Sequence, residues 1–179
     1  MKKLLLLTCV LILSFGGLVF AQETPPNGEF LIWKDAPWSL GGCFEYGMNS
    51  REIFAPGYGV SIGRYLGTPL LALGLRGNMH NDGISITATE IQLNFRAYVV
   101  PIADTAALNV ALFAQWGFGA AFYSEEGRER NTYTTDFAAG CRMYFYKGFL
   151  RGFYVEPYVR GGFPFIFSGG ISAGHWFNF

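Results

Sequence analysis

The 179-residue chain has no surplus of charge, its 13 Lys and Arg being balanced by 13 Asp and Glu. Nucleic-acid binding draws on a clustered excess of basic side chains, and the only basic cluster is Lys2-Lys3, so the composition argues against nucleic acid as a partner. Histidine occurs only at His80 and His175, and cysteine only at Cys9, Cys43 and Cys141. No group of them has metal-ligand spacing, so neither a metal nor a cofactor is expected. Gly41-Gly42 and Gly161-Gly162 precede no helical pattern and are not phosphate loops. Long polar stretches of the Ala/Glu/Lys/Leu type are also missing, which removes the usual signature of a helical protein.

What is abundant is aromatic and small. Phe, Trp and Tyr make up 18% of the chain and glycine contributes 24 residues, a balance that favours an all-β fold. The first 21 residues read as a cleavable secretory signal: Lys2 and Lys3, an apolar run from Leu4 to Phe20, and Ala21 at the cleavage point. An uncleaved anchor is the alternative, but Gly16-Gly17 interrupt the run and no basic stop-transfer flank follows it. Cys9 lies inside the run after Thr8, which does not fit a lipidation site. Residues 22–37 form a periplasmic segment with the turn-rich Pro25-Pro26-Asn27-Gly28 and the apolar patch Phe30-Leu31-Ile32-Trp33. Two placements of that patch remain open, at the membrane interface or as an extension of the first strand.

From Trp38 to Phe179 the hydrophobic period is two, the mark of strands with one apolar face. Trp38, Leu40, Phe44, Tyr46 and Met48 oppose Ser39, Gly41, Cys43, Glu45 and Gly47, and a loop is expected over 49–56. Tyr58, Val60 and Ile62 form the outer face of a second strand, and Leu71 to Met79 a third, with His80-Asn-Asp-Gly83 read as a hairpin turn. Ile91, Leu93, Phe95 and Ala97 then oppose Gln92, Asn94 and Arg96, and Leu108 to Gly119 continues the pattern. Strands follow around Asp136 to Phe145, Phe153 to Arg160 and up to Phe179, with a tight turn at Lys147-Gly148. Pro157 cannot donate to a ladder, so a bulge is expected there.

Eight strands result, and an even number of antiparallel strands brings the chain back to the side from which it started. With Trp38 at the periplasmic side, the turns near Leu66, Pro101 and Lys147 are periplasmic. The most charged stretch, Ser124 to Asn131, with Glu125, Glu126, Arg128, Glu129 and Arg130, is then an extracellular loop whose partner is unknown.

The alternation, the even count, the aromatic content, the signal and the terminal Phe179 together resemble a small eight-stranded outer-membrane barrel of the kind found in the OmpA transmembrane domain, OmpX and OmpW. The resemblance implies an eight-stranded antiparallel up-and-down transmembrane β-barrel over 38–179. It also implies that Phe177 and Phe179 act as the insertion signal read by the barrel-assembly machinery. With Phe179 closing the last strand, no counterpart of the peptidoglycan-binding domain that follows the barrel in full-length OmpA is expected.

The apolar faces would meet outer-membrane lipid, whereas a soluble lipocalin-like barrel would turn them inward and need a richly charged exterior. The other face gathers Glu45, Asp136 and Glu156 with Arg76, Arg96, Arg142 and Arg160. Buried charges need partners, so Glu45 and Glu156 are each expected to touch at least one arginine. Such a network acts as a structural plug or as an ion path, and the narrow interior of eight strands favours the plug. Cys43 falls on the inner face and Cys141 on the outer one, so no disulfide is expected between them.

Trp38, Tyr65, Phe145, Tyr146, Phe149, Phe177 and Phe179 are expected to form one interfacial girdle, and Tyr46, Tyr58, Phe122, Tyr133, Phe163 and Phe165 the other. His175-Trp176-Phe177 lacks the His-x-Ser of deacylase barrels, which leaves His175 as an interfacial residue and His80 as a loop residue. The expected protein is therefore a monomeric outer-membrane barrel without catalytic activity, structural or surface-exposed in role. A narrow solute channel comes second, and a lipid-binding periplasmic barrel or lipid A-modifying enzyme third.

Overall fold

A computed structural model describes residues 38–49, 54–66, 71–81, 86–98, 103–104, 108–125, 128–145 and 148–177. The signal, the 22–37 segment, Glu126, Tyr146 and Phe179 lie outside these residues. The strands are β1 (Trp38–Asn49), β2 (Phe54–Tyr65), β3 (Leu71–Asn81), β4 (Ile86–Tyr98), β5 (Ala103–Asp104), β6 (Leu108–Glu125), β7 (Arg128–Phe145), β8 (Phe153–Phe163) and β9 (Phe165–Phe177). All pairings are antiparallel, each long strand joins its neighbours in sequence, and β4 pairs β6 directly. β1 pairs β9 from Trp38↔Phe177 to Asn49↔Phe165, closing eight strands into a barrel, while β5 adds two residues to an edge of β6. Closure leaves no open sheet edge along the body of the barrel.

The period-two pattern decides which side chains enter. Leu40, Phe44, Val60, Leu75, Ile91, Phe95, Trp116, Phe137 and Ile171 are exposed on the outside, as the expected lipid-facing surface requires. Trp116 stacks there with Phe95 and Phe137, and its indole Nε1 donates to Thr135 Oγ1 at 3.2 Å, satisfying its one polar atom. Cys43 donates inward to Asn78 Oδ1, Cys141 pairs across from the outward Leu112, and both thiols are free.

Four details differ from the sequence reading. β1 and β2 extend into the expected 49–56 loop, leaving 50–53 between them. The charged stretch is a β-hairpin, because β6 and β7 run 18 residues each and pair as far as Glu125↔Arg128. The β7–β8 connection is longer than a two-residue turn: the Gly152 amide donates to the Phe145 carbonyl at 2.8 Å, and Gly148 and Gly152 take φ of 74° and 93°. That positive φ suits glycine, and a Cβ on Gly152 would meet the His175 ring at 2.3 Å. Finally, Pro157 makes no bulge. The β7–β8 register is the same at Gly140↔Tyr158 and Met143↔Val155 on either side of it, while the register shift lies at Met48/Asn49.

The two rims are unequal. β7 pairs β8 only from Thr135↔Phe163 onward, so residues 128–134 run past β8 by roughly 20 Å of strand at about 3.3 Å per residue. Arg128, Glu129 and Arg130 are exposed on this projection, and charge on an unpaired edge discourages uncontrolled pairing with other strands. The rim bearing this hairpin is called the far rim below, and the rim where Trp38 meets Phe177 the near rim.

Candidate functional site in the barrel lumen

Inward positions alternate with the lipid face, so the lumen chemistry is set by the even or odd residues of each strand. β1 supplies Glu45, β3 Arg76, Asn78 and His80, and β4 Glu90, Gln92, Asn94 and Arg96. β6 supplies Gln115, β7 Thr134, Asp136 and Arg142, β8 Glu156, Tyr158 and Arg160, and β9 Ser168 and Trp176. Glycines make room for the large ones: a Cβ at Gly41 would lie 2.2 Å from the Tyr154 hydroxyl.

The charges sort into two sets. Toward the far rim, the fully buried Glu45 carboxylate accepts from Arg76 Nη2 at 2.5 Å, Arg160 Nη2 at 2.6 Å, the Tyr158 hydroxyl at 2.9 Å and Asn78 Nδ2 at 3.3 Å. Arg160 is the hub, because it also donates to Glu90 and Asp136, both at 2.7 Å, and to Ser168 Oγ at 3.0 Å. Gln92 Nε2 donates to Thr134 and Asp136, and the Thr134 hydroxyl to Glu90. Three carboxylates and two guanidiniums are thus tied across β1, β3, β4, β7 and β8.

Toward the near rim, Glu156 pairs with Arg96 at 2.7 Å and with Arg142 Nε. Arg96 also donates to Gln115 Oε1 at 2.7 Å and to the Tyr98 hydroxyl at 3.3 Å. The Arg142 guanidinium lies 4.9, 4.5 and 4.7 Å from the ring centroids of Tyr98, Tyr154 and Trp176. Trp176 in turn stacks on Tyr65 at 4.4 Å. Cation–π contacts in a desolvated site contribute on the order of 2 kcal/mol each, so this aromatic floor is part of the cation's binding.

All seven lumen charges named from the sequence, Glu45, Arg76, Arg96, Asp136, Arg142, Glu156 and Arg160, face inward. Phe177 lies on β9 at the near rim. Arg128, Glu129 and Arg130 stand on the exposed hairpin, with Glu125 ending β6 opposite Arg128. His80 is not a loop residue: it sits inside β3, 1% exposed, with Nε2 2.9 Å from Glu45 and 3.4 Å from Glu90. Glu90 is a lumen residue that the sequence reading does not name: the clear alternation begins at Ile91, whereas β4 begins at Ile86 and Glu90 shares the phase of Gln92, Asn94 and Arg96. Tyr65 and Phe165 leave the expected girdles for the interior, where Phe165 stacks on His80 at 3.9 Å. His175 stays at the near rim, edge-on to Phe153 and with Nε2 3.2 Å from the Arg151 carbonyl.

No spacing in the sequence marks a metal site, yet folding places ligand atoms of Glu45, His80 and Glu90 within 4.8 Å of one another. Arg160 Nη2 already bonds both carboxylates, so a guanidinium holds the place a cation would take.

No protein-family model matches this chain, and neither does any curated protein. Solved structures do. Neisserial surface protein A superposes with a TM-score of 0.50 at 13% identity, over 79% of this chain and 96% of that one. The N-terminal β-barrel domain of Pseudomonas aeruginosa OprF gives 0.49 at 18% identity, over 78% and 97%. Ail, the attachment invasion locus protein of Yersinia pestis, gives 0.47 at 13% identity, over 81% and 99%. At such identities the likeness concerns the fold. Together with the closed circuit from β1 to β9 and its apolar exterior, it gives this chain the fold of the small eight-stranded outer-membrane β-barrels.

Proposed function

We propose that the protein is exported to the outer membrane and works there as a monomeric, plugged barrel that holds the β6–β7 hairpin outside the cell. Its role is structural or one of surface contact, and it has no catalytic function. The observation that carries this reading is the lumen: Glu45, Glu90, Asp136 and Glu156 are each at most 3% exposed and each ion-paired to arginine. Desolvated charges of this kind are expensive to separate, which favours a fixed plug over an open path. His80, the side chain best placed for proton transfer, is enclosed in the same plug, which supports a non-enzymatic role. Phe177 and Phe179 serve the assembly machinery in this reading, and outer-membrane lipid covers the exposed apolar faces.

Liposome swelling tests the plug, since vesicles carrying the barrel should swell no faster in arabinose than empty ones. Labelling of a cysteine placed at Glu129 by a membrane-impermeant maleimide on intact cells tests the orientation. Fast swelling would favour a narrow solute channel, and absence of labelling would reverse the topology.

A further inference from the structure

The two ion sets of the lumen differ in their charge balance. Among the described residues every ion pair of the lumen stays within one set. In the far-rim set, Glu45, Glu90 and Asp136 face Arg76 and Arg160, and His80, in reach of two of the carboxylates, is the third group able to carry positive charge. The near-rim set has Arg96 and Arg142 against Glu156 alone. No side chain described there supplies a second negative charge, and among the described residues Arg142 Nη1, in a residue that is 5% exposed, has no hydrogen-bond partner.

The same half contains a cavity of about 40 Å³. It exists because the inward positions of β1–β3 are small at this level, among them Ser39, Ser61, Gly63 and Gly74, and it is lined also by Arg96, on β4 beside Ala72, and by Arg142 on β7. A water needs roughly 10–15 Å³ of such space, so the cavity has room for a halide-sized ion. Arg96 is about one-fifth exposed, but Arg142 is buried, and a buried guanidinium that shares its one carboxylate with a second arginine is unfavourable unless a further counter-charge reaches it. The aromatic ring faces around Arg142 offset part of its charge but carry no net negative charge of their own.

We propose that this cavity is a binding site for a small monovalent anion of halide size, held by Arg96 and Arg142 and completing the charge balance of the near-rim set. The site is independent of whether the lumen conducts, since it needs only the cavity and its two arginines.

The test uses bromide. Crystals of the folded barrel in sodium bromide should show one bromine anomalous peak in the cavity, within hydrogen-bonding distance of Arg96 or Arg142. In detergent at fixed ionic strength, replacing sodium gluconate by sodium bromide should raise the thermal midpoint along a saturating curve. Gly74→Asp places a carboxylate on the cavity wall, where a Cβ meets only backbone atoms, the nearest at 3.2 Å. The variant should lose both the peak and the bromide response. Arg142→Gln, which reduces the set to one arginine and one carboxylate, should lose them too and serves if Gly74→Asp does not fold. A cavity holding only water in bromide crystals, or a bromide response unchanged in either folded variant, would overturn the proposal.

Discussion

Glu45→Gln is the most informative single change, because it keeps the shape of the side chain and removes only its charge. The amide oxygen can still accept from either the Tyr158 hydroxyl or Asn78, which bond different oxygens of the carboxylate, whereas Arg76 loses its ion pair with Glu45. Arg160 keeps Glu90 and Asp136. Breaking a buried pair by neutralising one member costs about 3–5 kcal/mol, mainly through the charge left behind. At about 1.4 kcal/mol per factor of ten, the folding equilibrium should shift by roughly a hundredfold to several thousandfold. Urea titration in detergent, read by the different mobility of folded barrel and unfolded chain on unheated gels, measures this. The comparison is Glu129→Gln on the exposed hairpin, expected within about 0.5 kcal/mol of the parent. Adding Arg76→Met to Glu45→Gln should restore more than about 1 kcal/mol, since the stranded guanidinium carries most of the penalty. A Glu45→Gln barrel as stable as the Glu129→Gln one would refute the view that the far-rim set locks the lumen.

Further expectations concern the other surfaces. Phe137→Arg, at an outward position 70% exposed between strands of the lipid-facing band, should destabilise the barrel in bilayers by about 2–4 kcal/mol, and by much less if that face meets water. Trp176→Ala removes the stacking partner of Tyr65 and one ring from the Arg142 cage. It should cost about 3–5 kcal/mol in the same urea titration, leaving the hairpin-rim maleimide labelling unchanged. Gly152→Ala introduces a Cβ where φ is 93° and the His175 ring is close, and should cost about 1–3 kcal/mol. Removing Phe179 should slow assembly in cells while the purified chain still folds in detergent, which separates an address from a packing role.

The barrel was legible because a period of two survives in a lipid-facing strand even when turns are obscure. Leu93, Phe95 and Ala97 against Gln92, Asn94 and Arg96 assign both faces of β4 without any tertiary information. The inward phase likewise named Glu45, Arg76 and Arg160, but alternation fixes only direction along one strand, and which carboxylate meets which guanidinium depends on strand stagger. His80 and Glu90 escaped for a local reason: His80-Asn-Asp-Gly has the chemistry of a turn, yet β3 continues through its first two residues to Asn81, and β4 begins at Ile86, ahead of Glu90. Extending the phases of Arg76–Asn78 and Gln92–Asn94 by two residues would have found both. Tyr65 and Phe165 have the aromatic type of a girdle residue, but strand phase decides the face and turns both inward. The β6–β7 hairpin was hidden by its charge, which on an exposed strand is compatible with pairing. The near-rim cavity had no signature in any single segment, since it arises from small residues of three strands facing two arginines on others.

The central claim is that the lumen is a paired, filled plug. Single-channel recording across planar bilayers tests it most directly: the parent protein should show no steady conductance above that of the bare membrane, and Glu45→Gln should show openings. Large, steady conductance from the parent barrel would contradict the account.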